Sequence, residues 1–185
     1  MANTRFLTAR DLYEAFPIAA DDVGVEANDE GAIAFLQDLI EKKNWDAGVS
    51  YCAYLLPRRE AVWWGCQSLR RIQPHRGPQD TRAIELAEAW VREPEEDRRL
   101  SALSFGTEGD HRAPATWMAL AAGWSGGNVL PEFGYAHAMP EQTARAIRAG
   151  LLGAMAWVPT DTMTSVMKPC LEEGIELAQK PTRDD

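Results

Sequence analysis

The sequence predicts an all-α fold, a single compact multi-helix domain of about nine short helices around a central tryptophan-rich one. Three observations lead there. Apolar residues recur at three- and four-residue steps through most of the chain. No stretch alternates with period two for long enough to make a convincing strand. Prolines, glycines and capping side chains fall at helix-length intervals. With 185 residues, 45% hydrophobic and 25% charged, the chain suits one globular domain with a real core. We divide it into an N-terminal docking helix and acidic loop (1–30), a core (31–180) and a short tail (181–185).

The central helix is expected over Pro57–Ile72. Pro57 is tolerated in a first turn, Glu60 suits the positive end of the helix dipole, and Arg70 and Arg71 suit the negative end. Ala61, Val62, Gly65, Cys66, Leu69 and Ile72 share one face, and Trp63 and Trp64 flank it on opposite sides. The apolar arc covers well over half the circumference, so this helix needs neighbours on several sides.

The other elements follow in chain order. Thr8 and Asp11 have the spacing of a capping box, and Leu12, Tyr13 and Phe16 follow before Pro17 stops a short helix. Residues 18–30, rich in Asp, Glu and Gly, read as a solvated loop. A helix from Gly31 to Lys43 places Ile33, Leu36, Leu39 and Ile40 on one face. Asp46 is expected to cap a helix through Val49, Cys52, Ala53 and Leu56 that turns sharply at Pro57. After the connector 73–78, Asp80 is expected to cap a helix whose Ala83, Ile84, Ala87, Trp90 and Val91 face inward. The run Glu93-Pro-Glu-Glu96 opens another helix with Pro94 at its first position, ending at Gly106. Ala115–Trp124 is helical until Gly126 and Gly127 stop it. Residues 126–139 form the longest irregular stretch. Pro140–Val158 is a strong helix in which Gly150 and Gly153 allow a neighbour to approach. The last helix, Thr160–Gln179, should kink or divide at Pro169.

The net charge of −9 is unevenly spread. Residues 1–50 carry 4 basic and 10 acidic side chains, whereas residues 51–82 carry 6 and 2. A mostly acidic surface with one basic segment argues against nucleic acid, which needs a broad positive footprint. No run reaches the roughly 20 apolar residues of a membrane span, so no membrane association is expected. Cys52, Cys66 and Cys170 are odd in number and lie in apolar helical contexts, which points to buried thiols and a cytoplasmic location.

Constellations that could carry chemistry fail on context. Gly123-Trp-Ser-Gly-Gly127 matches the Gly-x-Ser-x-Gly elbow of serine hydrolases, but a helix rather than a strand should enter it. The cysteines and His75 lack zinc-ligand spacing, and Asp110-His111 reads as an exposed turn. No phosphate-binding glycine loop or dinucleotide fingerprint is present. We therefore assign no catalytic residue, cofactor or metal, and expect a protein partner. The candidate contact residues are Arg58, Arg59, Trp63, Arg70 and Arg71 on the central helix, with Phe133 and Tyr135 in the long loop as the second choice. The bland alternative is that the tryptophan and arginines are rim packing over the core.

Leu55-Leu-Pro-Arg-Arg-Glu-Ala-Val-Trp-Trp64, Glu93-Pro-Glu-Glu-Asp-Arg-Arg99 and the run from Trp117 to Gly127 together resemble an uncharacterised all-helical family of small bacterial proteins, a domain of unknown function. The resemblance covers about residues 30–180. Members of that family are often encoded among type VI secretion genes, beside spike-tip proteins and their adaptors. The resemblance implies an accessory role in secretion, adaptor- or chaperone-like, and brings no catalytic residue with it. An acidic immunity-type protein neutralising a basic toxin is the alternative expectation, and an enzyme with an unrecognised site is a third. Oligomeric state is not legible in the sequence.

Overall fold

The structure is a computed structural model that describes residues 5–129 and 134–180. Ten helices make up the described chain: α1 (Ala9–Ala15), α2 (Ile18–Val23), α3 (Ala32–Glu41), α4 (Trp45–Leu55), α5 (Arg58–Ile72), α6 (Pro78–Arg92), α7 (Glu96–Glu108), α8 (Pro114–Gly123), α9 (Gln142–Met155) and α10 (Met163–Gln179). No strand is present among the described residues, only isolated bridges at Thr8–Gly31 and Asn128–His137.

α5 occupies the centre, as its wide apolar arc requires. It packs against α4, α6, α8, α9 and α10. Ala61, Val62, Trp64, Gly65, Cys66, Leu69 and Ile72 are all buried. The Trp64 indole Nε1 donates to the Cys170 carbonyl of α10 at 2.7 Å, so the largest buried side chain also keeps its polar atom satisfied. Gly65 permits the closest approach. A Cβ there would lie 2.9 Å from Met118 Sδ of α8 and 3.1 Å from Ile147 Cγ2 of α9. Gly150 of α9 does the same against α8, where an added Cβ would meet the Pro114 carbonyl at 2.8 Å. Gly153, expected to share that role, is exposed, and a Cβ there would make only an ordinary contact with Pro114 Cγ at 3.9 Å.

The N-terminal capping box forms as expected: Asp11 N donates to Thr8 Oγ1 at 3.1 Å and Thr8 N to Asp11 Oδ2 at 2.9 Å. Several boundaries differ from expectation, each for an identifiable reason. The solvated loop at 18–30 contains α2, whose Ala19 and Val23 are buried and which ends at Gly24 in the left-handed region (φ 68°). Its Asp22 points inward, accepting from Tyr54 Oη at 2.6 Å and pairing with Arg145 at 3.3 Å. Acidity alone therefore misread this segment. α4 is capped by Asn44, two residues before Asp46, with Ala47 N donating to Asn44 Oδ1. α6 starts at Pro78, pre-set for a first turn, which leaves Asp80 inside it. Pro94 lies before α7 instead of within it, because proline favours an extended Glu93 (φ −131°, ψ 92°). Gly106 does not end α7. It is buried within the helix, where a Cβ would come within 2.7 Å of Leu120 Cγ. α10 runs as one helix through Pro169.

Candidate interaction surface

The spacing of Arg59, Trp63 and Arg70 places them on one stripe of α5, and the structure turns that stripe toward α6. Arg59 Nε donates to the Val91 carbonyl at 2.7 Å and its Nη2 to the Arg92 carbonyl at 3.3 Å. This puts a cation on the negative end of α6. Arg70 makes a two-pronged contact with Glu88, Nε to Oε1 and Nη2 to Oε2, both at 3.0 Å. That hydrogen bonding holds the Arg70 guanidinium above its ordinary pKa. Glu88 is only 5% exposed, and it accepts further bonds from Gln67 at 3.0 Å and Arg92 at 3.4 Å. A carboxylate so enclosed is tolerable because charged donors surround it. Trp63 is half-buried on the same stripe.

The remaining arginines of the basic segment are also committed within the chain. Arg71 donates to Glu173 of α10 at 3.3 Å and lies against Cys170 Sγ at 3.8 Å. Arg58 donates to the Ser125 carbonyl at 2.9 Å and to the Pro140 carbonyl at 3.4 Å, joining the end of α8 to the start of α9. The stretch between them carries two of the four large hydrophobic side chains that stand exposed among the described residues, Tyr135 and Met139; Leu7 and Trp157 are the others.

The described residues of that stretch, 128–129 and 134–139, pair in the manner of a hairpin. Asn128 and His137 form a bridge, and Val129 N donates to the Ala136 carbonyl at 2.8 Å. Asn128 braces the turn from inside, donating from Nδ2 to the Gly134 carbonyl at 2.8 Å and accepting from Ala136 N at 2.9 Å. Tyr135 is 70% exposed and Met139 55% exposed, and the Tyr135 ring meets His137 edge-on with centroids 4.8 Å apart. Phe133, the other aromatic expected here, lies outside the described residues.

The residue that anchors the hairpin base was missed by sequence reasoning. Arg99 of α7 is 3% exposed, yet it carries Nη1 to the Gly123 carbonyl at 2.6 Å and Nη2 to the Asn128 carbonyl at 3.0 Å. Glu96 accepts from its Nε at 2.8 Å, and this contact holds the Glu96 carboxyl below the usual range. Gly127, at φ 62°, lies against that guanidinium, where an added Cβ would come within 2.7 Å of Nη2. Gly127, read with Gly126 as a helix stop, thus also makes room for a buried cation. The signal was faint: an arginine three residues after a glutamate on a helix usually reads as a surface pair.

The other chemistry-bearing groups are not assembled into a site. A helix enters Ser125 and a bent loop leaves it, so the hydrolase elbow geometry is absent. All three cysteines are buried and unpaired, and burial pushes the Cys52, Cys66 and Cys170 thiols above their ordinary pKa, away from thiolate reactivity. Asp110 forms an exposed ion pair with Arg112 at 3.1 Å. His111 is exposed and lies beside Trp117, its Nε2 within 3.0 Å of the Gly106 carbonyl. Among the described residues no group of three His, Cys, Asp or Glu could hold a metal ion, and no helix is long and apolar enough to cross a membrane.

Fold and surface together define a compact all-helical domain in which Tyr135 and Met139 stand exposed beside the Asn128–His137 bridge. The chain belongs to DUF6931, a family of unknown function, whose model matches residues 35–178. No curated protein and no solved structure matches it.

Proposed function

We propose that this protein is a non-enzymatic, protein-binding accessory of a bacterial secretion system of the type VI kind, adaptor- or chaperone-like, acting in the cytoplasm. The observation that carries the binding reading is the hairpin. Tyr135 and Met139 stand exposed on a turn whose base is fixed by Arg99, Arg58 and Asn128. A tyrosine loses little conformational entropy on binding, and aromatic and methionine side chains are both enriched at interfaces. The buried, unpaired thiols support a reducing compartment. The secretion context rests on the sequence resemblance, and Pro57 to Trp64 is its most specific part.

A photo-crosslinking amino acid placed at Tyr135, and separately at Trp63, tests this in the native host. Crosslinks from position 135 to a spike or effector-loading component, identified by mass spectrometry, support the proposal. Recovery of one basic toxin would replace it with an immunity role. Crosslinks from position 63 alone would return the contact surface to α5.

A further inference from the structure

We propose that the crevice where α5 and α9 begin, flanked by Arg5 and Arg58, is a binding site for a carboxylate group. The inference does not rest on the hairpin reading.

Arg5, Tyr54, Leu56, Arg58, Ala61 and Thr143 are among the residues that line this half-open crevice, whose accessible space is about 10 Å³, the room of a single water molecule or one carboxylate oxygen. Two guanidiniums face it. Arg5 donates only one long bond, Nη1 to the Leu56 carbonyl at 3.4 Å, and lies over the rings of Phe6 and Phe16 at 4.9 and 5.2 Å. Arg58 donates to the Ser125 and Pro140 carbonyls. Each guanidinium offers five N–H donors, so donors remain on both that have no acceptor among the described residues, those of the exposed Arg5 being open to solvent.

No carboxylate among the described residues comes within ion-pair distance of either cation. The acids nearest the crevice are otherwise placed. Asp22 is held by Tyr54, Arg145 and Arg148, and Glu141 influences Tyr54 while forming no ion pair with Arg5 or Arg58. Burial lowers the Arg5 pKa first and the neighbouring Arg58 charge lowers it further, as expected of two cations sharing a partly desolvated space. The other basic side chains of α5 have contrasting environments: Arg70 and Arg71 each have an acidic partner.

The remaining walls favour an anion as well. Thr143 and Ala144 lie in the first turn of α9, and Ala61 follows the first turn of α5 with its own N–H donating to the Pro57 carbonyl; neither helix has a side-chain cap on its leading N–H groups. The Thr143 hydroxyl donates away from the crevice, to the Ala121 carbonyl at 3.2 Å, and the Tyr54 hydroxyl donates to Asp22. The arginines are therefore the groups that would meet the ligand. A planar carboxylate can set one oxygen into the accessible space and leave the other at the mouth, matching the fork of a guanidinium. A carboxylate leaves one oxygen outside that space, whereas a tetrahedral phosphate leaves three.

The test is a titration with sodium acetate, and in parallel with sodium phosphate, at neutral pH and constant ionic strength set with sodium chloride. Chemical shifts of the Arg5 and Arg58 Nε–H groups and the Ala61 and Ala144 amides are followed. Saturable acetate shifts at these groups, weakened at least about fivefold in Arg5→Gln, are expected. Arg58→Lys, which keeps the charge and loses the fork, should also bind more weakly. Arg5→Gln carries the test if the Arg58 variant fails to fold, because Arg5 lies at the edge and makes one long hydrogen bond. Phosphate binding more tightly than acetate would overturn the carboxylate assignment. Shifts that rise without saturating, or that persist unchanged in Arg5→Gln, would overturn the site.

Discussion

The α5–α6 rim and the 128–139 hairpin both gather the residues usual in protein interfaces, and the structure uses them in opposite ways. On the rim, Arg59 and Arg70 flank a half-buried Trp63, but their guanidiniums meet the α6 carbonyls and the enclosed Glu88. On the hairpin, the cation is inside and the apolar groups are outside: Arg99 is buried beneath, while Tyr135 and Met139 face solvent. An arginine–aromatic cluster is thus uninformative until the acceptors within the same chain have been found. On the rim the acceptors lie on the neighbouring helix and the cluster joins helices; under the hairpin Arg99 holds the backbone from below and leaves the side chains above it exposed.

The contrast can be broken or sharpened by substitution. The largest effect is expected for Trp64→Ala, which empties the centre of α5's packing and removes the indole hydrogen bond to the Cys170 carbonyl. Loss of about 3–5 kcal/mol in denaturant unfolding is predicted, and a variant melting within a couple of degrees of wild type would remove the central-helix account. Arg99→Met keeps the bulk and removes the bonds to Gly123 and Asn128, and should cost about 2–3 kcal/mol while raising amide exchange in residues 124–129. Glu88→Gln should cost about 2 kcal/mol, less than a fully enclosed pair because Arg70 and Arg92 retain access to water. Smallest is Tyr135→Ala with Met139→Ala: both side chains are exposed, so stability should change by under about 0.5 kcal/mol. A substantial loss there would mean that the hairpin's apolar side chains serve the fold.

Much of this organisation is legible in the sequence, with local signals the most dependable. The Thr8–Asp11 box, the α5 arc and the apolar stripe of α9 each follow from one-dimensional spacing, and each formed. What was not legible depended on contacts distant in sequence. Asp22 reads as solvated acid until Tyr54, Arg145 and Arg148 are brought to it across the fold. Gly106 reads as a helix stop until Leu120 occupies the space a side chain would need. Arg99 reads as half of a surface pair, because nothing local announces that the end of α8 will lie on top of it. The two candidate surfaces were visible as composition, but their difference in commitment is a property of tertiary hydrogen bonding alone.

The double charge reversal Arg59→Glu/Arg70→Glu, in a protein carrying the crosslinker at position 135, tests the central distinction most directly. Two quantities are read on the same sample: melting temperature, and crosslink yield well below it. Reversal at 70 sets a new carboxylate against Glu88, and reversal at 59 sets one against the α6 carbonyls. The expected cost is about 3 kcal/mol, or roughly 6–12 °C in melting temperature for a chain of this size. The account predicts that fall together with an undiminished crosslink from position 135. An unchanged melting temperature with the crosslink lost would contradict it, and would make the α5 arginines the contact surface.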